Sequence, residues 1–547
     1  MKPFLFPVAL LLLLSACMKH PVADRVVLGT VWTGDDHQPM AEGFAVIGDS
    51  IVAVGSHDEI RKWIGKETWV TQASSKQLIV PGFIDCHTHF MEGGFALASV
   101  QLRDAATPEE FIQRITDFAR TQPKNAWILN GDWDHENWGG ELPSRDWIDS
   151  VTQDNPVWIN RLDGHMSLAN TAALNAAGVN DKVKDVSGGT IVRDKRGRIT
   201  GVFKDNAMGL IWPAVPEPDN DVKDKALQTA MQYVASHGVT SVHNVSGYMD
   251  VFERARANGK LRTRIYAGMP LSEWRTLAEK IQQQGRGDHW LRIGSLKEFV
   301  DGSLGSHTAA FFKPYTDAPN DSGFFVTPEN VLYQRIKSAD SAGLHIMTHA
   351  IGDKAIHTLL TIYQRVATEN GFRDRRFRIE HAQHIRPEDI QRFAELEVIP
   401  SMQPYHAIDD GRWAEKLIGY DRCKTTYAFK SLFDADARVA FGSDWFVAPP
   451  IPLVGIYAAV TRQTLDGKNP GGWIPEQKIS VEQALKAYTI NGAYASFEEN
   501  LKGSITPGKL ADFVILSENL FSIPPEKIHE VYIVMTGAGG KDVYRAE

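Results

Sequence analysis

Two histidines separated by one residue are the first side chains in this sequence that could carry chemistry. They are His87 and His89, in the segment Asp85–His89. Side chains alternate between the two faces of a β-strand, so these two imidazoles would point to the same side. Two imidazoles on one face supply half of the ligands of a typical zinc site. The spacing therefore predicts a metal site at this point of the chain.

Four further residues with metal-binding or acid–base side chains end, or lie within, separate short β-like segments. They are Lys297, His349, His381 and Asp444. When parallel strands close into a barrel, their carboxyl ends meet at one face, and active sites are found there. We therefore expect these four residues to converge with the two histidines of the first strand.

Short β-like runs alternate with stretches of helical composition through the middle of the chain. Strand–helix alternation of this kind predicts an α/β fold, and eight units predict a (β/α)₈ TIM barrel. The eight runs are Ile79–His89, Gly238–Val245, Thr263–Met269, Ser295–Gly302, Leu344–Ala350, Phe377–Ala382, Val398–Pro404 and Arg438–Trp445.

The two chain ends and one long internal segment fall outside this alternation. Residues 25–80 and 503–547 carry alternating apolar residues and turn sequences, so we expect both ends to form one composite β-sandwich domain. Residues 81–502 would form the barrel. Within them, residues 93–237 are too long for a loop and predict a subdomain inserted after the first barrel strand. This insertion makes the predicted barrel a distorted one.

Residues 1–17 have the pattern of a secretory signal. Lys2 supplies a positive charge, and residues 8–14 are an apolar run too short to span a bilayer as a stable helix. The sequence that ends at Cys17 resembles the lipobox of bacterial lipoproteins. That resemblance implies an exported protein, lipid-anchored to the cell envelope through Cys17, with its main domain in the periplasm. A plain cleaved signal, in which Cys17 has no role, is the alternative.

Composition restricts the partners. The 547-residue chain has a net charge of −9 and no basic run, which argues against nucleic-acid binding. A small-molecule substrate is expected, and membrane contact only through the lipid at Cys17. No motif indicates an oligomeric state, and a homo-oligomer is compatible with the sequence.

The order of the candidate ligands resembles that of the amidohydrolase superfamily: two histidines on strand one, lysine on four, histidine on five and six, aspartate on eight. Several motifs resemble more narrowly the branch that contains N-substituted formamide deformylases, and together they extend over the whole mature chain. They are PGFIDCHTH at 81–89, KEFVDGSLGS at 297–306, HAIGD at 349–353, RIEHA at 378–382 and PGKLAD at 507–512.

This resemblance implies a centre with one or two divalent metals, zinc being favoured, with iron, manganese and nickel left open. One metal would be held by His87, His89 and Asp444, and the second by His349 and His381. Lys297 would bridge the two as a carbamate, formed with carbon dioxide. The alternative for Lys297 is a cation paired with Asp301 or with a substrate carboxylate.

The reaction implied is hydrolysis of a non-peptide carbon–nitrogen bond, in an N-substituted formamide or N-acyl amine, by metal-bound hydroxide. Asp444 would accept the proton of water and pass it to the departing amine. The same site could instead open a cyclic amide, a lactone or an ester. A non-catalytic binding lipoprotein built on this scaffold is a further alternative.

Three polar residues are candidates for substrate contacts. His165 lies in an Asp-Gly-His sequence of the insertion that resembles a family motif. Asp301 lies near the carboxyl end of the predicted fourth barrel strand, and His307 lies in the loop after it, where loops line the active site of a barrel.

Overall fold

The structure is a computed structural model that describes residues 22–546, so the predicted signal segment and Cys17 lie outside the described residues. The strands in chain order are β1 (Arg25–Trp32), β2 (Met40–Ile47), β3 (Ser50–Gly55), β4 (Trp69–Gln72), β5 (Leu78–Pro81), β6 (Phe83–Thr88), β7 (Ile128–Leu129), β8 (Val157–Asn160), β9 (Met166–Ala169), β10 (Gly189–Arg193), β11 (Ile199–Asp205), β12 (Val239–Asn244), β13 (Arg264–Pro270), β14 (Leu291–Phe299), β15 (His345–Ala350), β16 (Arg378–His381), β17 (Ile399–Met402), β18 (Ala440–Phe441), β19 (Phe513–Leu516), β20 (Ile533–Ala538) and β21 (Lys541–Arg545).

The α-helices in chain order are α1 (His57–Arg61), α2 (Phe90–Ala96), α3 (Pro108–Thr121), α4 (Arg145–Ile148), α5 (Thr171–Ala176), α6 (Asn220–Ser236), α7 (Met249–Ala257), α8 (Trp274–Gln284), α9 (Glu329–Ser341), α10 (Asp353–Asn370), α11 (Pro387–Glu395), α12 (Pro404–Asp410), α13 (Ala414–Ile418), α14 (Tyr420–Cys423), α15 (Phe429–Asp434), α16 (Pro452–Thr461), α17 (Val481–Ala487) and α18 (Ile490–Tyr494).

The predicted (β/α)₈ barrel is confirmed. Its strands follow the spatial order β18-β17-β16-β15-β14-β13-β12-β6, and every pairing between them is parallel. Every residue of β6, β12 and β15 is buried, as is usual for strands of a parallel barrel, and the buried polar residues among them include His87 and His349. The barrel closes at its carboxyl end, where Asp444 N donates to His87 O at 2.7 Å.

The two chain ends form one β domain, as expected. Its sheet runs in the order β21-β20-β19-β5-β1-β2-β3, with β4 beside β1. Strand β5 joins the two ends, because Ile79 pairs with Val31 of β1 in parallel and with Ile515 of β19 antiparallel. Alternate side chains of both ends pack into one apolar cluster that includes Phe44 and Phe513.

The predicted first strand, Ile79–His89, is two strands in the structure. Residues of β5 belong to the β domain, and residues of β6 begin the barrel. Gly82 separates them, and its N–H donates to the carbonyl of Asp512. A Cβ atom at this position would lie 2.2 Å from Thr240 Oγ1, so the close approach of strand β12 requires glycine.

The long segment after β6 has its own sheet, in the order β10-β11-β9-β8-β7, and its own apolar clusters. The sequence pattern did not predict strands β9 and β11. Helix α6 falls inside the predicted range 93–237, yet its buried face packs on the barrel. Asp219 directly precedes the helix, and its side chain accepts from Val222 N and caps it.

Within residues 22–546, no helix combines the length and the apolar character that a membrane span needs.

Candidate metal centre and its cavity

Three of the predicted ligands form a compact group at the carboxyl end of the barrel. His87 of β6, His381 of β16 and Asp444, three residues after β18, offer ligand atoms that all lie within 4.8 Å of one another. Their relative exposures are 0%, 5% and 5%, so the three side chains are shielded from bulk water. Two imidazoles and a carboxylate in this arrangement can hold a divalent metal.

The carboxylate of Asp444 supports this interpretation. Its Oδ1 lies 3.4 Å from Nε2 of both His87 and His89. Among residues 22–546, this buried oxygen has no hydrogen-bond partner. Burial alone would raise the pKa of Asp444, but the neighbouring imidazoles hold it well below its usual range. A buried, ionised and unpaired oxygen needs a compensating charge, and a divalent cation supplies one.

A buried network orients His87. Its Nδ1 contacts Glu380 through a short hydrogen bond, and Arg378 donates to both carboxylate oxygens of Glu380, at 2.7 and 2.9 Å. Burial lowers the pKa of His87 to about 4, so the ring is neutral at ordinary pH. With its N–H directed at the carboxylate, the imidazole offers its Nε2 lone pair to the centre. Carboxylate–histidine pairs of this kind orient metal ligands in many proteins.

Lys297 lies beside the same group. Its Nζ is 3.3 Å from Nε2 of His87, and the residue is 5% exposed. Burial lowers the pKa of Lys297 to about 8, which is far from the value of a solvated lysine. The ion pair with Asp301 that the sequence left open does not occur between these two described residues, because Asp301 accepts three backbone hydrogen bonds instead.

The imidazole of His349 lies next to that of His381. Its Nε2 donates to the carbonyl oxygen of Gly302 at 3.0 Å, which leaves Nδ1 for a ligand. Its ring centroid lies 4.6 Å from that of His381. Burial, together with the neighbouring His381, keeps the pKa of His349 well below its usual range. The five histidine and aspartate ligands predicted from the sequence therefore converge at one end of the barrel, together with Lys297.

Comparisons with known proteins identify the family of the chain. A family model described as an amidohydrolase family matches residues 77–544. The chain belongs to the amidohydrolase family.

Named relatives resemble this amidohydrolase over nearly its whole length. Protein LONG AFTER FAR-RED 3 of Arabidopsis thaliana is 40% identical, and the match covers 96% of this chain and 92% of that protein. The N-substituted formamide deformylase of Arthrobacter pascens is 26% identical, with 94% and 97% covered. The crystal structure of an uncharacterized metal-dependent hydrolase from Pyrococcus horikoshii superposes with a TM-score of 0.74 at 26% identity, covering 92% and 99%.

A cavity of about 390 Å³ opens onto the ligand end of this amidohydrolase. That volume accommodates a small molecule. Besides the candidate ligands, ten apolar side chains from the insertion, the barrel strands and their loops line the cavity. They are Leu162, Met208, Trp212, Phe299, Leu304, Val326, Ile351, Trp413, Phe446 and Val447.

Of the three predicted substrate contacts, only His165 lines this cavity. Its Nδ1 lies 2.6 Å from Asp205 Oδ1. Burial alone would lower the pKa of His165, but the hydrogen bond and charge of Asp205 raise it above the usual value. Asp301 is buried behind the wall, and its carboxylate is occupied by the backbone N–H groups of the loops around it. His307 lies nearer the surface, 3.1 Å from Asp317.

Several polar residues of the cavity were not anticipated from the sequence. They are Glu92, Arg161, Asp163, Asp205, Asn206, Ser303, Gln383, His406, Asp409 and Asp410. His406 could have been found, because it follows the carboxyl end of the seventh barrel strand, where polar side chains often face the active site. Apart from Asp163, which belongs to the same Asp-Gly-His sequence as His165, the residues of the insertion carried no such signal, since their distance from the barrel depends on how the subdomain folds.

Proposed function

We propose that this protein hydrolyses a non-peptide carbon–nitrogen bond in a small N-acyl amine or N-substituted formamide, using one or two divalent metals, with zinc favoured. One observation carries the proposal: the group His87, His381 and Asp444 lies at the end of a small cavity, and Asp444 keeps a buried oxygen unpaired. The formamide deformylase among the relatives supports the choice of bond.

Different residues of the chain would bind the metals and transfer the proton. His87, His89 and Asp444 would hold one metal, and His349 and His381 the second, with Lys297 as the bridging residue. His381 also lies within reach of His87 and Asp444, so it could serve either metal. A metal bound there would supply a Lewis acid that activates water and polarises the carbonyl group. Asp444 would take the proton of the attacking water and deliver it to the departing nitrogen, which leaves poorly as an anion.

Carboxylation of Lys297 is part of the proposal. Its amine must be neutral to add carbon dioxide, and burial lowers the pKa of Lys297 to about 8, so a substantial fraction is neutral near that pH. The added carboxylate would replace a cation by an anion beside His87 and would act as a ligand. This change suits a centre that gathers positive metal ions.

The cavity suggests the kind of substrate. Its volume of about 390 Å³ excludes a folded protein, and apolar residues such as Trp212, Phe299 and Phe446 cover much of its wall. We therefore propose an apolar substituent on the acyl or amine side of the scissile bond.

Metal analysis and a substrate panel test the proposal together. Protein lacking residues 1–17, purified without chelator and with bicarbonate, should contain about two metals per chain, and fewer after Lys297→Ala. It should release amine from N-benzylformamide, and chelation should abolish that activity until metal is restored. Opening of lactones or cleavage of esters alone would replace the proposed bond. Protein without metal, even after reloading, would refute the proposal.

We also propose that the protein is exported and anchored to the bacterial envelope through a lipid on Cys17, with its catalytic domain in the periplasm. The support is the sequence that ends at Cys17. In a bacterial host, wild-type protein should fractionate with membranes and Cys17→Ser with the soluble fraction. Identical fractionation of the two would refute the anchor.

A further inference from the structure

A carboxylate–imidazole pair forms part of the cavity wall that the insertion contributes. Asp205 ends strand β11, and its Oδ1 lies 2.6 Å from Nδ1 of His165. Both residues line the cavity, and their side chains are 2% and 14% exposed. Because the hydrogen on Nδ1 is directed at the carboxylate, the ring is held in one orientation. Nε2 is then the nitrogen available to a ligand.

The backbone at Asp205 is held in an unfavourable conformation to make this contact. Its φ and ψ are 47° and −127°, a region that residues with a Cβ rarely adopt. Asp205 N also donates to the carbonyl oxygen of His165 at 3.0 Å. Two hydrogen bonds therefore join the two residues, and the backbone of Asp205 is strained where they meet.

The second carboxylate oxygen distinguishes Asp205 from an aspartate with only a structural role. Among residues 22–546, Asp205 Oδ2 is buried without a hydrogen-bond partner. Asp301, on the neighbouring loop, shows the contrast, because its two oxygens accept from the backbone of Ala310, Ile351 and Gly352 at 2.8 to 3.0 Å. Leaving a buried carboxylate oxygen unsatisfied is costly, and such groups recur at functional sites.

The pair adjoins the candidate metal centre. The ring of His165 lies with its centroid 5.1 Å from that of His349 and 6.2 Å from that of Phe299. A second aspartate fixes the backbone of His165. The backbone N–H of His165 donates to Asp163 Oδ1 at 3.1 Å, and Asp163 Oδ2 accepts from the Ser303 hydroxyl at 2.6 Å. A small molecule whose carbonyl group reaches the ligand end of this cavity has His165 beside it.

We propose that His165 is a further catalytic residue, whose Nε2 forms a hydrogen bond to the scissile amide group, and that Asp205 is the positioning residue that fixes its ring. This inference rests on the proposed function for the reaction, but not for the contact itself. It makes the insertion part of the catalytic machinery, because both residues come from the segment between the first and second barrel strands.

A double-mutant cycle tests the pair. His165→Gln and Asp205→Asn should each lower kcat for amide hydrolysis by about tenfold to a hundredfold, with little change in KM or metal content. The double variant should be no slower than His165→Gln, because Asp205 acts through His165. Losses that multiply in the double variant, or that follow a loss of metal, would overturn the inference.

Two further variants separate positioning from folding. Asp205→Gly removes the carboxylate and also relieves the backbone strain, so we expect an equal or higher Tm together with the loss of kcat. Asp317→Asn is the matched control, because Asp317 forms a similar pair with His307 away from the cavity. It should leave kcat unchanged. A lower Tm in Asp205→Gly with kcat retained would contradict the positioning role.

A binding measurement distinguishes failure of this inference from failure of the proposed function. An N-alkyl phosphonamidate mimics the tetrahedral state of amide hydrolysis, and its Kd can be measured without turnover. Metal-loaded His165→Gln should bind it about tenfold or more weakly than the wild-type protein. Weakened binding in a protein that hydrolyses no amide would sustain the contact and refute only the proposed bond. Equal binding by the two would overturn the contact, whereas no binding by the wild-type protein would refute the proposed bond and, with it, a contact to an amide.

Discussion

The two ends of the cavity are built in different ways. We call the end formed by the candidate ligands the floor. These ligands extend from or closely follow barrel strands, and His87 and Glu380 are completely buried. We call the opposite end the roof, where charged residues of the insertion contact the loop after the seventh barrel strand. Arg161 pairs there with Asp134 and Asp163, and Arg412 pairs with Asp134 and Asp409.

This difference separates two tasks. Strand ends of a barrel are positioned by the whole core, so they can hold ligands to within a fraction of an ångström, as a metal centre requires. Ion pairs between a subdomain and a loop fix the position of one relative to the other and so shape the substrate site. We therefore expect substitutions at the floor to remove both metal and chemistry, and substitutions in these ion pairs of the roof to alter substrate binding with the metal retained.

The largest effect should follow Asp444→Asn. It removes the unpaired buried oxygen and the proposed proton carrier, so kcat should fall by about 10²- to 10⁴-fold, with loss of bound metal. Steady-state assays and metal analysis measure both. Asp436→Asn is the matched control, because Asp436 has nearly the same positive φ (61° against 62°) but is exposed. Retention of metal and turnover in Asp444→Asn would contradict the claim that the floor holds the metal.

The floor was predictable from the sequence, whereas at the roof the sequence pointed to His165 alone. A strand alternates its side chains, so the spacing of His87 and His89 is enough to place them on one face, and Lys297 and His349 follow from strand order. The contact between Asp205 and His165 spans 40 residues and depends on the pairing of β9 with β11, and the sequence pattern predicts neither strand. Short strands of an inserted subdomain lack the regular spacing that identifies the barrel.

Glu380→Gln sharpens the description of the floor. Glutamine keeps the shape but removes the charge that orients His87 and balances Arg378, so metal affinity should fall by about 10- to 100-fold. Competition with a chromogenic chelator measures the change, and circular dichroism checks that the fold is retained. Glu388→Gln, an exposed glutamate on the next helix, should bind metal normally. Unchanged affinity in Glu380→Gln would remove this residue from the centre.

A smaller effect is expected at the roof from Arg412→Gln. Arg412 joins Asp134 and Asn137 of the insertion to Asp409 of the barrel loop, and its loss should loosen the substrate site. We expect KM to rise about fivefold, with kcat and metal content nearly unchanged. Arg198→Gln, which breaks exposed ion pairs within the insertion, should leave KM unchanged. A loss of metal in Arg412→Gln would show that roof and floor are not separable.

The smallest expected effect concerns the stability of the roof and its dependence on pH. Burial raises the pKa of Asp410 to about 7, although Tyr427 donates to its carboxylate at 2.5 Å. The folded state therefore holds a proton that the unfolded state releases near pH 4, so the contribution of this carboxyl to stability falls as pH rises from about 4 to about 7.

Asp410→Asn does not titrate, so its Tm minus that of the wild-type protein should increase over this interval and level off above pH 7. For a chain of this size we expect a change of about 1–3 °C, which differential scanning calorimetry at several pH values can resolve. The subtraction cancels the contribution of other buried carboxyls, such as Asp85, because both proteins contain them. A constant difference would mean that Asp410 is ionised throughout, and the roof would then carry one more negative charge toward the substrate.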